Sequence, residues 1–122
     1  MDKTFAEKVA EAKQVVAAVS PAQAGALRKS PGVVFVDPRP AAAIAETTGI
    51  IPGAHNVALD DIRDGRLPAV LSDRSIRVVT ACQAGPMGAI AAHELIKQGF
   101  SNVCYLDGGT QGWLDAGFQT AR

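Results

Sequence analysis

Cysteine is scarce in this chain of 122 residues: Cys82 and Cys104 occur in unlike settings, and neither belongs to a CxxC or Cys/His spacing. A disulfide framework and a structural zinc site are therefore excluded, and no metal is expected. Charge of one sign is not in excess either. Twelve Lys and Arg residues balance twelve Asp and Glu, at a pI near 6.7, so no global positive field gathers phosphate backbones or anionic lipid. Neither nucleic acid nor membrane is expected as a partner. Long apolar runs are missing as well: Val15 to Val19 and Ala41 to Ala45 are far too short to span a bilayer. The start, Met1-Asp2-Lys3-Thr4-Phe5, lacks the cationic and apolar regions of a secretory leader. A cytoplasmic protein is the expectation.

What is present suits one soluble domain with one core, since 48% of the residues are hydrophobic and 20% charged. Phe5, Val9, Ala12, Val16 and Val19 recur at helical spacing with Glu7, Lys8, Glu11 and Lys13 between them, which predicts an amphipathic helix over about residues 3–19. Ser20-Pro21-Ala22-Gln23 reads as an N-cap, a first-turn proline and a capping-box acceptor, opening a second helix that runs to about Lys29. Val33-Val34-Phe35-Val36 is continuously apolar and β-branched, as a strand covered on both faces requires. Further strands are predicted at Ala54 to Val57, Arg77 to Ala81 and Asn102 to Leu106, with a helix from about Gly88 to Gln98 closed by Gly99. Gly65 to Ser75 reads as a connection with one helical turn, and Asp107-Gly108-Gly109 ends the last strand before a short tail containing Trp113. The pattern gives an α/β domain with a mostly parallel sheet.

Ligands of open parallel sheets settle beyond the carboxyl ends of the strands. The stretch of interest there is Cys82-Gln83-Ala84-Gly85-Pro86-Met87-Gly88, which joins a strand to a helix. It places a thiol at a helix N-terminus, where free backbone N–H groups and the helix dipole favour an anion and lower a thiol pKa. Cys82 is thus either a nucleophile or a small apolar residue ending a buried strand; the local pattern leaves both open.

In chain order, Val33 to Arg39, Gly49 to Val57, Val78 to Cys82, Gly99 to Val103 and Leu106 to Gly109, followed by Trp113, resemble a single rhodanese domain over roughly Ser20 to Phe118. The resemblance implies a parallel five-stranded sheet with helices on both faces, the cysteine loop at its carboxyl edge, and sulfur transfer as the activity. The expected plan is an N-terminal amphipathic helix, residues 1–19, followed by a rhodanese-like domain, residues 20–122. Cys82 would attack a small-molecule or protein sulfur donor, become a persulfide, and pass the sulfur to an acceptor thiol without any cofactor. The backbone N–H groups of Gln83, Ala84, Gly85, Met87 and Gly88 would stabilise charge around it; Pro86 has none to give. Active rhodaneses place six residues in this loop, and Cys82 to Met87 fits with the helix starting at Gly88. The related phosphatases and arsenate reductases use a loop one residue longer that ends in arginine.

This loop departs from the usual pattern at its sixth position, where many single-domain rhodaneses carry arginine and this chain has Met87. A less positive pocket is expected, with weaker binding of a dianion such as thiosulfate and a better fit for a neutral, apolar or protein-borne donor. Missing loop arginine also disfavours oxyanion chemistry of the phosphatase or arsenate reductase type. A non-catalytic, regulatory module that binds a protein or small anion in the same loop is the alternative function.

Asp37 and Arg39 are expected to pair and shape the loops at the sheet edge, with Arg39 the nearest cation to the site. His55 and His93 receive no catalytic role, His93 being read as part of a solvated helix face. Cys104 is read as a packed core residue and Trp113 and Phe118 as cover for the sheet, with Trp113 a candidate for the pocket rim. The stripe of the first helix must be buried on its own domain or on a second copy, so monomer and homodimer both stand.

Overall fold

A computed structural model describes residues 3–122; Met1 and Asp2, part of the expected N-terminal segment 1–19, lie outside the described residues. The first helix, α1, runs Phe5–Val15. Thr4 caps it in a reciprocal box, its hydroxyl accepting from the Glu7 N–H while the Glu7 carboxylate accepts from the Thr4 N–H. The helix read to residue 19 stops here. Val16 is already extended, and Ala17–Val19 form strand β1, paired with the last strand of the sheet. The helical spacing of Val16 and Val19 is coincidental: Val16 packs with Ala12 against Ala89, Ala92 and Tyr105, whereas Val19 belongs to the core on the other side of the sheet. Alternation across a strand separates them.

Helix α2, Pro21–Arg28, has the expected Ser20 and Gln23 capping box with proline in its first turn. Strand β2 is Val33–Asp37, helix α3 Ala41–Glu46, strand β3 His55–Asn56 and helix α4 Leu59–Arg63. A short 3-10 turn at Ala69–Leu71 precedes strand β4, Arg77–Thr80. Helix α5, Pro86–Lys97, strand β5, Val103–Leu106, and helix α6, Gly109–Asp115, complete the chain. The sequence reading lacked α3, α4 and α6, each only five to seven residues long and without a side-chain cap hydrogen bond.

The five strands form one sheet in the order β1-β5-β4-β2-β3, with every pair parallel. Alternate residues of β2 enter different cores. Phe35 joins Val19, Ala24, Val79, Leu106 and Trp113 on the α2 and α6 side, while Val34 and Val36 join Ile62, Val78, Ala91 and Leu95 on the α4 and α5 side. Both faces are covered, which is why the central strands read as unbroken apolar runs. Helix α1 forms an outer layer on α5. From β2 the chain moves outward to β3, and from β4 it moves the other way to β5. The carboxyl ends of β2 and β4 therefore flank the crevice at which such sheets bind ligands.

Candidate active site

Cys82 lies two residues beyond β4 and is 4% exposed. Its Sγ accepts the Gly85 N–H at 3.0 Å. Of the five backbone donors expected around the sulfur, this is the one that contacts it. Gly85 makes the turn with φ +121°, a conformation that L side chains rarely adopt. Helix α5 begins at Pro86, two positions before the predicted start at Gly88, because a first-turn proline needs no N–H and has its φ already set for the helix. Gly85 is the helix N-cap, so Met87 and Gly88 fall in the first turn, where backbone N–H groups have no acceptor within the helix. The sulfur thus sits at the positive end of a helix dipole.

Neighbouring backbone holds the loop from two sides. Gly88 packs so closely that a Cβ there would meet the Cys82 nitrogen at 3.3 Å and the Thr80 carbonyl at 3.5 Å. The Thr80 hydroxyl donates to the Gly88 carbonyl at 2.6 Å, tying strand to helix. On the other side stands the N-terminus of α6. The Thr110 N–H donates to the Cys82 carbonyl at 2.7 Å and the Gln111 N–H to the Gln83 carbonyl at 3.0 Å. A Cβ on Gly109 would lie 2.6 Å from the Cys82 and Gln83 carbonyl oxygens, so this approach requires glycine. Gly109, Thr110 and Gln111 escaped the sequence reading, although Gly108-Gly109 after the last strand was the available signal. Gln83 and Ala84 are exposed at the loop tip, and Pro86 and Met87 are half-buried beside them.

Asp37 and Arg39 pair as expected, and the pair is closed. Arg39 Nη2 donates to Asp37 Oδ2 at 2.7 Å and Nε to Oδ1 at 3.0 Å, with both side chains at least 95% buried. The remaining guanidinium donors reach the Thr47 and Thr48 hydroxyls and the Gly49 carbonyl. This fork locks the turn after β2, and it leaves the Arg39 guanidinium engaged within the protein instead of free for an anionic ligand. Asn56, unnoticed in the sequence, holds the same turn by donating to the carbonyls of Asp37 at 3.0 Å and Arg39 at 2.7 Å.

Other candidates fall outside the site. Trp113 is 3% exposed and lies in the core rather than on a rim, its indole N–H donating to the Gln119 carbonyl at 2.9 Å and its ring stacked on Phe118 at 4.3 Å. Cys104 is buried in β5, and burial pushes its thiol above the ordinary value of 9.0, against a smaller opposing effect of Arg77. His55 is exposed on β3. His93 is half-buried and faces a crevice shared with Lys3, Lys8 and Glu11, instead of lying on a fully solvated helix face. Among the described residues no His, Cys, Asp or Glu side chains cluster in the manner of a metal site, and no helix is long and apolar enough to cross a membrane.

Comparison with known proteins gives the same outline. The family model for rhodanese-like domains matches residues 20–116. The thiosulfate sulfurtransferase GlpE of Pseudomonas putida is 40% identical over 100 residues, covering 78% of this chain and 82% of the relative. Among solved structures, a protein of unknown function from Rhodopseudomonas palustris, described as a possible tyrosine phosphatase, is 27% identical with a TM-score of 0.85, covering 99% of this chain and 96% of that one. A rhodanese homologue from Thermus thermophilus is 29% identical with a TM-score of 0.63, covering 78% and 98%. With its parallel sheet, its cysteine loop at the carboxyl edge and this family match, the chain is a member of the rhodanese-like domain family.

Proposed function

We propose that this protein is a sulfurtransferase in which Cys82 carries the sulfur as a persulfide. The observation that carries this reading is the Gly85 N–H at 3.0 Å from Sγ, in a loop that also opens a helix. A thiolate or a terminal persulfide sulfur at this position is stabilised by that donor and by the helix dipole. The 40% identity to a thiosulfate sulfurtransferase supports the same chemistry. The Cys82 thiolate forms a bond to the outer sulfur of a donor, the donor's own bond to that sulfur breaks, and the leaving group departs with the electron pair. An acceptor thiolate then attacks the outer sulfur of the persulfide and regenerates the Cys82 thiolate. Donor and acceptor are small molecules or protein thiols, and the reaction runs in the cytoplasm with no cofactor.

The phosphatase description of the Rhodopseudomonas palustris neighbour finds little support here. No arginine lies between Cys82 and Gly88, and the guanidinium of Arg39 is already engaged by Asp37, Thr48 and Gly49. Phosphoryl transfer depends on such a clamp.

Intact-protein mass spectrometry after incubation with a sulfane sulfur donor tests the proposal. The expected result is a gain of one sulfur atom, reversed by cyanide or a thiol and absent in Cys82→Ser. A folded protein that gains no sulfur from thiosulfate, mercaptopyruvate or a persulfide would instead point to the binding module.

A further inference from the structure

Beside the cysteine loop runs a groove of about 240 Å³ lined by Pro38, Pro40, Ala58, Leu59, Asp60 and Met87. Its walls are the residues that follow three parallel strands: Pro38 and Pro40 follow β2, Ala58 to Asp60 follow β3, and Met87 stands at the sixth position of the loop after β4. The groove thus lies at the carboxyl edge of the sheet, and Met87 joins it to the loop that carries Cys82. Its surface is mostly apolar, five of its six lining residues being uncharged, and the sole ionisable group among them is the Asp60 carboxylate. That carboxylate is exposed and pairs only loosely with Arg63, at 3.7 Å on its own helix. At about 30 Å³ for each water-sized group, the volume suits a body of roughly eight such groups.

We propose that this groove receives the uncharged organic body of a small persulfide donor and makes Met87, Leu59 and Ala58 its specificity-determining residues. The assignment rests on Cys82 being the sulfur carrier. A sulfur donor must present its outer sulfur to Cys82, so the rest of the molecule extends into whatever adjoins the loop. An apolar body there removes its own surface and that of Met87, Leu59, Pro38 and Pro40 from water. A compact dianion gains none of this and meets the Asp60 carboxylate, which Arg63 offsets only loosely. In the transfer step the Cys82 thiolate bonds to the outer sulfur of R–S–SH, the bond between the two donor sulfurs breaks, and RS⁻ leaves with the pair and takes up the persulfide proton.

The test compares loading of Cys82 by benzyl persulfide, by glutathione persulfide, whose body is anionic, and by thiosulfate, in the wild type, Ala58→Phe and Met87→Arg. Ala58 is exposed, so a larger side chain there fills the groove without entering the core. Expected is at least a ten-fold preference of the wild type for the benzyl donor over both anionic ones. In Ala58→Phe, kcat/KM for the benzyl donor should fall about ten-fold through KM while that for thiosulfate stays within two-fold. Met87→Arg should raise thiosulfate loading and reverse the preference. Wild-type loading that is equal for all donors, or a loss in Ala58→Phe that is equal for all donors, overturns the groove assignment and leaves sulfur carriage by Cys82 intact. Absence of any adduct in the folded wild type overturns the sulfur-carrier reading, and the groove assignment falls with it.

Discussion

Replacing Gly109 by alanine would put a methyl group 2.6 Å from the carbonyl oxygens of Cys82 and Gln83, at a backbone with φ +61°. The backbone conformation alone costs about 1–3 kcal/mol. Relief of the clash has to move the loop away from α6, and displacement of a reacting group by about 1 Å costs roughly 10²-fold in rate. Gly109→Ala is therefore expected to keep its fold by circular dichroism and to lose most sulfur transfer in a cyanide-coupled assay. The buried pair of Asp37 and Arg39 predicts the opposite balance. Removing one partner strands a charge in a site with at least 95% burial, a change that costs about 3–5 kcal/mol. For Arg39→Ala the urea midpoint should drop sharply. These residues differ in how readable they are. Cys82 and its loop follow one another in the chain, so residue types and spacing exposed them. Gly109 and Asn56 act on residues far away in sequence, and only the parallel register of β5 beside β4 and of β3 beside β2 brings them there.

At the scale of elements, α1 and β1 form one continuous sequence pattern and two different structures. Ala12 and Val16 are buried against Ala89, Ala92 and Tyr105, so the C-terminal part of the helical stripe is covered within its own chain, while Phe5 at its start stays 56% exposed. Deleting residues 1–15 removes α1 and leaves β1 in the sheet; a deletion through residue 19 would remove an edge strand as well. The shorter deletion uncovers one outer face of α5, which at about 25 cal/mol per Å² amounts to roughly 2–4 kcal/mol. Thermal unfolding should shift down by on the order of 10 °C. Light scattering on both proteins is expected to give single-chain masses. Periodicity identified α1 because a covered helix face repeats. It failed at β1 because three residues are too few to show a period. Likewise α6 begins at left-handed Gly108 and Gly109, which read as a turn, and turn signals conceal a helix this short.

The whole molecule is a sheet buried on both faces, and its pH response follows from what lies in that core. Cys104 has its thiol raised by burial above the ordinary 9.0, so the native state holds the proton more tightly than the unfolded chain. Its contribution is fully present below pH 9. Above it the unfolded chain ionises first, and stability falls until the native thiol titrates. Urea unfolding between pH 8 and 10.5 should show this decline, flattened in Cys104→Ala; an unchanged slope in that variant would assign it to other groups. At this scale the sequence was most legible, because a doubly covered parallel sheet imposes its apolar runs over many residues at once.

The grip of α6 on the cysteine loop also has a temporal meaning. Among the described residues, the carbonyls of Cys82 and Gln83 find their hydrogen-bond partners in Thr110 and Gln111. During synthesis Cys82 joins the chain before those residues do, so β4 and the start of α5 are made with the loop still unbraced. The Cys82 loop acquires its braced geometry only as the last helix docks, and a chain truncated before Gln111 is expected to lose the sulfur loading proposed for Cys82.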